Sequence, residues 1–172
     1  LAPKNKWELS DMIKYAVDFS GPIAVRYPRG EAFDELKEYR APLEYGKAEV
    51  LYEESEILLL AVGSMVKTAL TVREQLKEKG YSCSLVNARF VKPFDEELLL
   101  KLLVTLEENV QSGGFGEHVL EFMNTNGDGS MEVLNIAIPD VYVEHGNVEL
   151  LRKETGIDAD GIIGKIIDRK AQ

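Results

Sequence analysis

The residues best placed to do chemistry form one run, Arg26-Tyr27-Pro28-Arg29-Gly30. Two arginines flank a short apolar segment, a proline fixes the turn, and a glycine leaves the backbone open. Guanidinium is the side chain best shaped to grip a phosphate through two parallel N–H donors. The ends of strands are also where open α/β sheets place their ligands. Spacing alone is satisfied more readily by two surface arginines paired with the many nearby glutamates. Phosphate binding by Arg26 and Arg29 is therefore one of two open readings at this level.

Other clusters are less specific. Ser112-Gly113-Gly114-Phe115-Gly116 follows a strand pattern and opens a helix pattern, a place where an anion can meet helix N–H groups. It lacks the Gly-Lys-Ser/Thr of a P-loop and the Gly-x-Gly-x-x-Gly of dinucleotide sites. A tight turn for close helix–sheet packing is the favoured reading. Glu107 and Glu108 look like an acid pair, but neighbouring strand residues point to opposite faces, so they cannot readily share a reaction centre. Asn124 to Gly129 bears a faint likeness to a calcium loop; the twelfth position is Asn135 where a glutamate is required, so the likeness fails. His118 and His145 have no cysteine or carboxylate at zinc-ligand spacing. Cys83, beside Ser82 and Ser84 and far from any histidine, reads as a packing residue.

The elements that must position these residues alternate. Asn5 with Glu8 makes a capping box for a helix with Leu9, Met12, Ile13, Ala16 and Val17 on one face. Ile23 to Tyr27 is a compact apolar run expected to be a strand. Residues 31–43 are charged, aperiodic and contain Pro42, and read as a linker. From residue 44 onward the pattern predicts strands at 47–52, 57–62, 84–88, 103–106 and 133–138. Helices are predicted over 66–76, from Pro93-Phe94-Asp95 to Leu102, and over 114–123, 148–154 and 158–168. Such alternation demands right-handed crossovers and a mostly parallel sheet. The 47–52 strand, with polar flanks, is expected at the edge. Leu102 and Leu103 join a helix pattern to a strand pattern with no turn residue between them, where about 2–6 residues are usual. A break in the chain is expected there.

Composition narrows the partners. The chain has 172 residues, with 30 acidic against 20 basic side chains and a net charge of −10. That sign repels nucleic acids and anionic membranes, so neither is expected as a partner. A single cysteine forbids an intrachain disulfide and gives no sign of secretion. No apolar run approaches the ~20 residues of a membrane span. The chain opens on Leu1-Ala2-Pro3-Lys4, which is neither a signal peptide nor a methionine start, so a piece of a longer cytoplasmic protein is expected.

Several segments resemble the 1-deoxy-D-xylulose-5-phosphate synthase family of the transketolase superfamily, in that family's order and over essentially the whole chain. They are Gly21 through Gly30, Asn87-Ala88-Arg89-Phe90-Val91-Lys92-Pro93-Phe94-Asp95, Val104 through Asn109 with Gly113-Gly114-Phe115-Gly116, Ile138-Pro139-Asp140 through His145-Gly146, and the closing Gly156 through Ile162. The resemblance implies a three-layer transketolase C-terminal-type α/β domain over 44–172, with a mostly parallel open sheet and an antiparallel edge strand. Residues 1–30 would be the end of a pyrimidine-binding domain, and 31–43 the linker. It also implies an enzyme condensing pyruvate with D-glyceraldehyde 3-phosphate to 1-deoxy-D-xylulose 5-phosphate and CO2, for isoprenoid and thiamine precursors. Thiamine diphosphate and Mg²⁺ would be bound by a homodimer of the full-length protein.

The family's metal-binding Gly-Asp-Gly…Asn motif and its catalytic glutamate belong upstream of Leu1. No catalytic, cofactor-binding or metal-binding residue is therefore assigned here, no cofactor is expected on this piece alone, and its partners would be the missing N-terminal domains. Arg29 maps to the ligand of the aldehyde's phosphate group, with Arg26 assisting. Relatives carry about half a dozen polar residues at the Leu102–Leu103 join, which the resemblance reads as a loop missing here. Two other readings stay open: the C-terminal domain of a 2-oxoacid dehydrogenase E1 β subunit, and a non-catalytic dimer-contact module.

Overall fold

The computed structural model describes residues 1–54, 56–95, 102–127 and 132–171. In chain order the elements are α1 (Lys6–Asp18), β1 (Glu49–Tyr52), β2 (Ile57–Ala61), α2 (Met65–Glu78), β3 (Cys83–Asn87), β4 (Leu102–Val110), α3 (Phe115–Asn126), β5 (Val133–Ile138), α4 (Val148–Glu154) and α5 (Ala159–Lys170).

Five strands form one sheet in the order β1-β3-β2-β4-β5. β2 runs parallel to both β3 and β4, and β4 parallel to β5. β1 lies at the edge, as its polar flanks suggested, and runs antiparallel to β3, as the family resemblance implied. β2 is an unbroken apolar run at the centre of the sheet, and all five of its residues are buried.

Alternation along the strands builds two apolar layers. Leu59, Leu85, Val104 and Ile136 face α2 and α5, meeting Val66, Ala69, Val72, Ile162 and Ile166. Leu58, Leu60, Val86 and Leu103 face the other way, onto Phe115 and Val119 of α3. Each fully buried aliphatic side chain contributes about 1.5–3 kcal/mol, so these layers dominate the stability. α2 ends where Gly80, at φ +88°, lets its N–H reach Lys77 and the Tyr81 N–H reach Leu76.

Four expectations need correction. Ile23–Tyr27 joins no sheet. Its backbone instead makes one rung with the first residue: the Arg26 N–H donates to Leu1 at 2.8 Å, and the Leu1 nitrogen to Ala24 at 2.8 Å. Glu8 does not complete a capping box on Asn5. Asn5 accepts the Glu8 N–H at 2.9 Å, but the Glu8 carboxylate accepts the N–H of Lys4 at 2.7 Å. The apolar face of α1 is only partly covered, with Met12 buried, Leu9 and Ala16 half-buried, and Ile13 47% and Val17 79% exposed. Finally, the chain is continuous at Leu102–Leu103. Both belong to β4, pairing in register with Ile57 and Leu58, so the strand starts one residue earlier than the pattern indicated. The helix expected between Asp95 and Leu102 falls on 96–101, outside the described residues.

Candidate functional site

The strand order fixes where a crevice must open. From β2 the chain crosses through α2 to β3 on one side, while β4 and β5 lie on the other. The carboxyl ends of β2 and β4 therefore diverge, the arrangement in which open α/β sheets hold ligands. A cavity of about 250 Å³ lies there, lined by Arg26, Tyr27, Pro28, Gly63, Ser64 and Glu108 among others.

Glu108 ends the β4 side of this crevice. Its carboxylate accepts the Ser64 hydroxyl at 2.6 Å and both Nε (3.0 Å) and Nη2 (2.8 Å) of Arg152 on α4. Burial pushes its pKa up, but Arg152, Ser64 and the more distant Arg26 outweigh that and hold it below the usual glutamate range. Glu107 points to the opposite face, as strand geometry requires. Its oxygens accept the N–H groups of Phe115 and Gly116, each at 2.8 Å, at the start of α3. Burial pushes its pKa up, only partly offset by those two bonds.

The glycine run at 113–116 thus binds an anion that the chain itself supplies. A Cβ at Gly114 would sit 2.7 Å from Glu107, and one at Gly116 would sit 2.1 Å from Asn135. Close packing is the reason for these glycines, as expected.

Arg26 and Arg29 part company. Arg26 lines the crevice, close enough to influence both Glu107 and Glu108. Arg29 is exposed, outside that lining, and bonds to no other described residue. His118 donates from Nδ1 to the Gly114 carbonyl at 2.7 Å at the start of its own helix, and His145 is exposed. Cys83 is 1% exposed, and burial pushes its thiol up to about 11, so it is inert packing. Among the described residues no group of three His, Cys, Asp or Glu could hold a metal ion. No described helix is long and apolar enough to cross a membrane.

Sequence reasoning passed over Ser64 and Arg152, and it passed over a buried ionic cluster of Lys4, Glu8, Glu49 and Arg89. Sequence spacing holds no signal for such partners, since Glu108 lies 44 residues from both Ser64 and Arg152.

Residues 46–162 match the family described as Transketolase, C-terminal domain. The chain belongs to this family. The transketolase C-terminal domain accounts for everything from Gly46 to Ile162, hence all of the sheet and the first turn of α5, and leaves Arg26 and Arg29 before it. The chain is 47% identical, over 96% of its length, to a 1-deoxy-D-xylulose-5-phosphate synthase of Lachnoclostridium phytofermentans, and spans 28% of that protein. It is 45% identical, over 95% of its length, to the protein of the same name from Desulforudis audaxviator, and spans 27% of it. Among solved structures, one described as a split gene transketolase, an inactive β4 tetramer, superposes with a TM-score of 0.85 at 25% identity, over 97% of this chain and 55% of that one. A transketolase from Campylobacter jejuni gives a TM-score of 0.60 at 18% identity, over 97% of this chain and 25% of that one, a likeness of fold alone.

Proposed function

We propose that this transketolase C-terminal domain, with the 45 residues before it, is the C-terminal part of a thiamine-diphosphate-dependent synthase. The enzyme joins pyruvate, after decarboxylation, to D-glyceraldehyde 3-phosphate, giving 1-deoxy-D-xylulose 5-phosphate and CO2. The observation that carries this reading is 47% identity across 96% of the chain to a protein of that name. In this reading residues 1–30 close the preceding pyrimidine-binding domain, 31–43 link, and 44–172 form the third domain of a cytoplasmic homodimer.

The described residues do not fit the cofactor. The described residues offer no metal-ligating cluster, and the carboxylates of Glu107 and Glu108 are engaged by α3 amides, Ser64 and Arg152. Thiamine diphosphate and Mg²⁺ belong to the preceding domains. What this chain adds is cationic: Arg29, whose guanidinium has no partner among the described residues, and Arg26 at the crevice, for the phosphate of the aldehyde. The solved split-gene relative is described as inactive, which supports reading such a chain as non-catalytic alone.

The test is an assay of the full-length parent with pyruvate and D-glyceraldehyde 3-phosphate. Formation of the phosphorylated deoxyketose with release of CO2 is expected. Decarboxylation that requires a lipoyl acceptor would instead identify a 2-oxoacid dehydrogenase subunit.

A further inference from the structure

Four charged side chains meet in the interior where the N-terminal segment crosses the sheet. Lys4 Nζ lies 3.1 Å from Glu8 and 2.5 Å from Glu49. Arg89 reaches the same two carboxylates, Glu8 through Nε and Glu49 through Nη2, each at 2.9 Å. It also donates to the carbonyls of Ala41 (2.9 Å) and Pro42 (3.2 Å). Asn87 donates to both Glu8 oxygens at 2.9 and 3.0 Å. None of the five residues is more than 4% exposed.

Burying two cations and two anions is a poor way to gain stability, because desolvation costs several kcal/mol per ion and an apolar cluster of the same volume does as well. What such a cluster supplies is a single permitted arrangement. Here the arrangement is that of residues 1–4 across the carboxyl end of the sheet. Arg89 adopts φ +57°, a left-handed conformation that non-glycine residues seldom take. Its carbonyl accepts the Ala2 N–H at 2.9 Å. Ala2 in turn rests on Gly63, where an added Cβ would approach the Ala2 Cβ to 3.2 Å. The next residue, Leu1, carries the rung that holds Ala24 and Arg26. Arg26 has no other backbone bond to a described element, so its seat at the crevice depends on this frame.

We propose that Lys4 and Arg89 are positioning residues for Arg26. The buried cluster clamps residues 1–4 onto the sheet, and that segment hangs the Arg26–Arg29 run beside Ser64 and Glu108. The functional consequence rests on the reading of this run as a phosphate subsite; the mechanical one does not.

Lys4→Met in the full-length protein tests it by two readouts. In amide hydrogen exchange, the Arg26 and Ala2 N–H groups should lose protection at least about tenfold while the amides of β2 and β3 keep theirs. In steady-state kinetics, KM for D-glyceraldehyde 3-phosphate should rise about tenfold, with kcat and KM for pyruvate nearly unchanged. If Lys4→Met does not fold, Arg89→Lys, which keeps the charge but cannot span Glu8, Glu49 and the Ala41 and Pro42 carbonyls at once, loosens the same clamp and is read in the same way. An Arg26 amide that stays protected, or exchange that accelerates equally through β2 and β3, overturns the proposal. A wild-type parent that does not use the aldehyde overturns the phosphate reading, while the exchange data still decide the clamp.

Discussion

Arg152 on α4 holds Glu108, at the end of β4, through two bonds of 3.0 and 2.8 Å across 44 residues of sequence. A short helix with no buried residue of its own is thereby tied to the crevice. The side chains are 21% and 26% exposed, so the pair is shielded enough to matter.

This pair has a pH signature. The Glu108 pKa is depressed in the fold, so its contribution is present above the ordinary glutamate value and is lost as pH falls through the lower folded value. Glu108→Gln should cost about 1–2 kcal/mol at pH 7. Urea unfolding at pH 7 and below about pH 3 should show the gap between variant and wild type closing in acid. A gap of the same size at both would mean that charge is not the source.

Gly116→Ala should destabilise by about 1–3 kcal/mol, since overpacking outweighs alanine's better helix propensity. The new Cβ would stand 2.1 Å from Asn135 Oδ1, which itself meets the Thr105 hydroxyl at 3.1 Å. Thermal unfolding gives the answer; a variant as stable as wild type would show that Asn135 swings aside freely.

Cys83 should resist thiol reagents at pH 8 in the native protein and react at the rate of a free thiol in denaturant. It is 1% exposed, with its thiol pushed up to about 11 by burial first and by Glu54 second. Rapid native labelling would place the side chain nearer the surface than the fold does.

In the intact enzyme, Arg29→Ala should raise KM for D-glyceraldehyde 3-phosphate about ten- to a hundredfold, the loss of one charge-assisted contact of roughly 1.5–3 kcal/mol. KM for pyruvate, which has no phosphate, should move much less. Equal changes in both would assign Arg29 a structural role.

The 172-residue chain by itself should show no synthase turnover, even with saturating thiamine diphosphate and Mg²⁺. Catalysis needs a held cofactor and a positioned base, and among the described residues no group of three His, Cys, Asp or Glu could hold the cofactor's metal. Product formation by a homogeneous preparation would refute this.

Local pattern was enough to determine the α/β alternation, the buried central β2, the edge position of β1 and the packing role of Gly114 and Gly116. Each follows from hydrophobic period, turn residues or the absence of a side chain, all carried within a few neighbouring positions. The Arg26–Arg29 run was visible too as a pair of cations, because residue type is what the sequence shows directly.

Tertiary structure alone decided the rest. It turned Ile23–Tyr27 from a strand into a segment hung on Leu1, since a strand exists only where a partner's N–H and C=O groups face it. It spent Glu107 on α3, paired Glu108 with Arg152 and Ser64, and separated Arg26 from Arg29. It also gathered Lys4, Glu8, Glu49 and Arg89 into one buried cluster, whose members lie up to 85 positions apart, from Lys4 to Arg89. Ionic partnership is set by distance through space, and sequence records charge without recording what it will face.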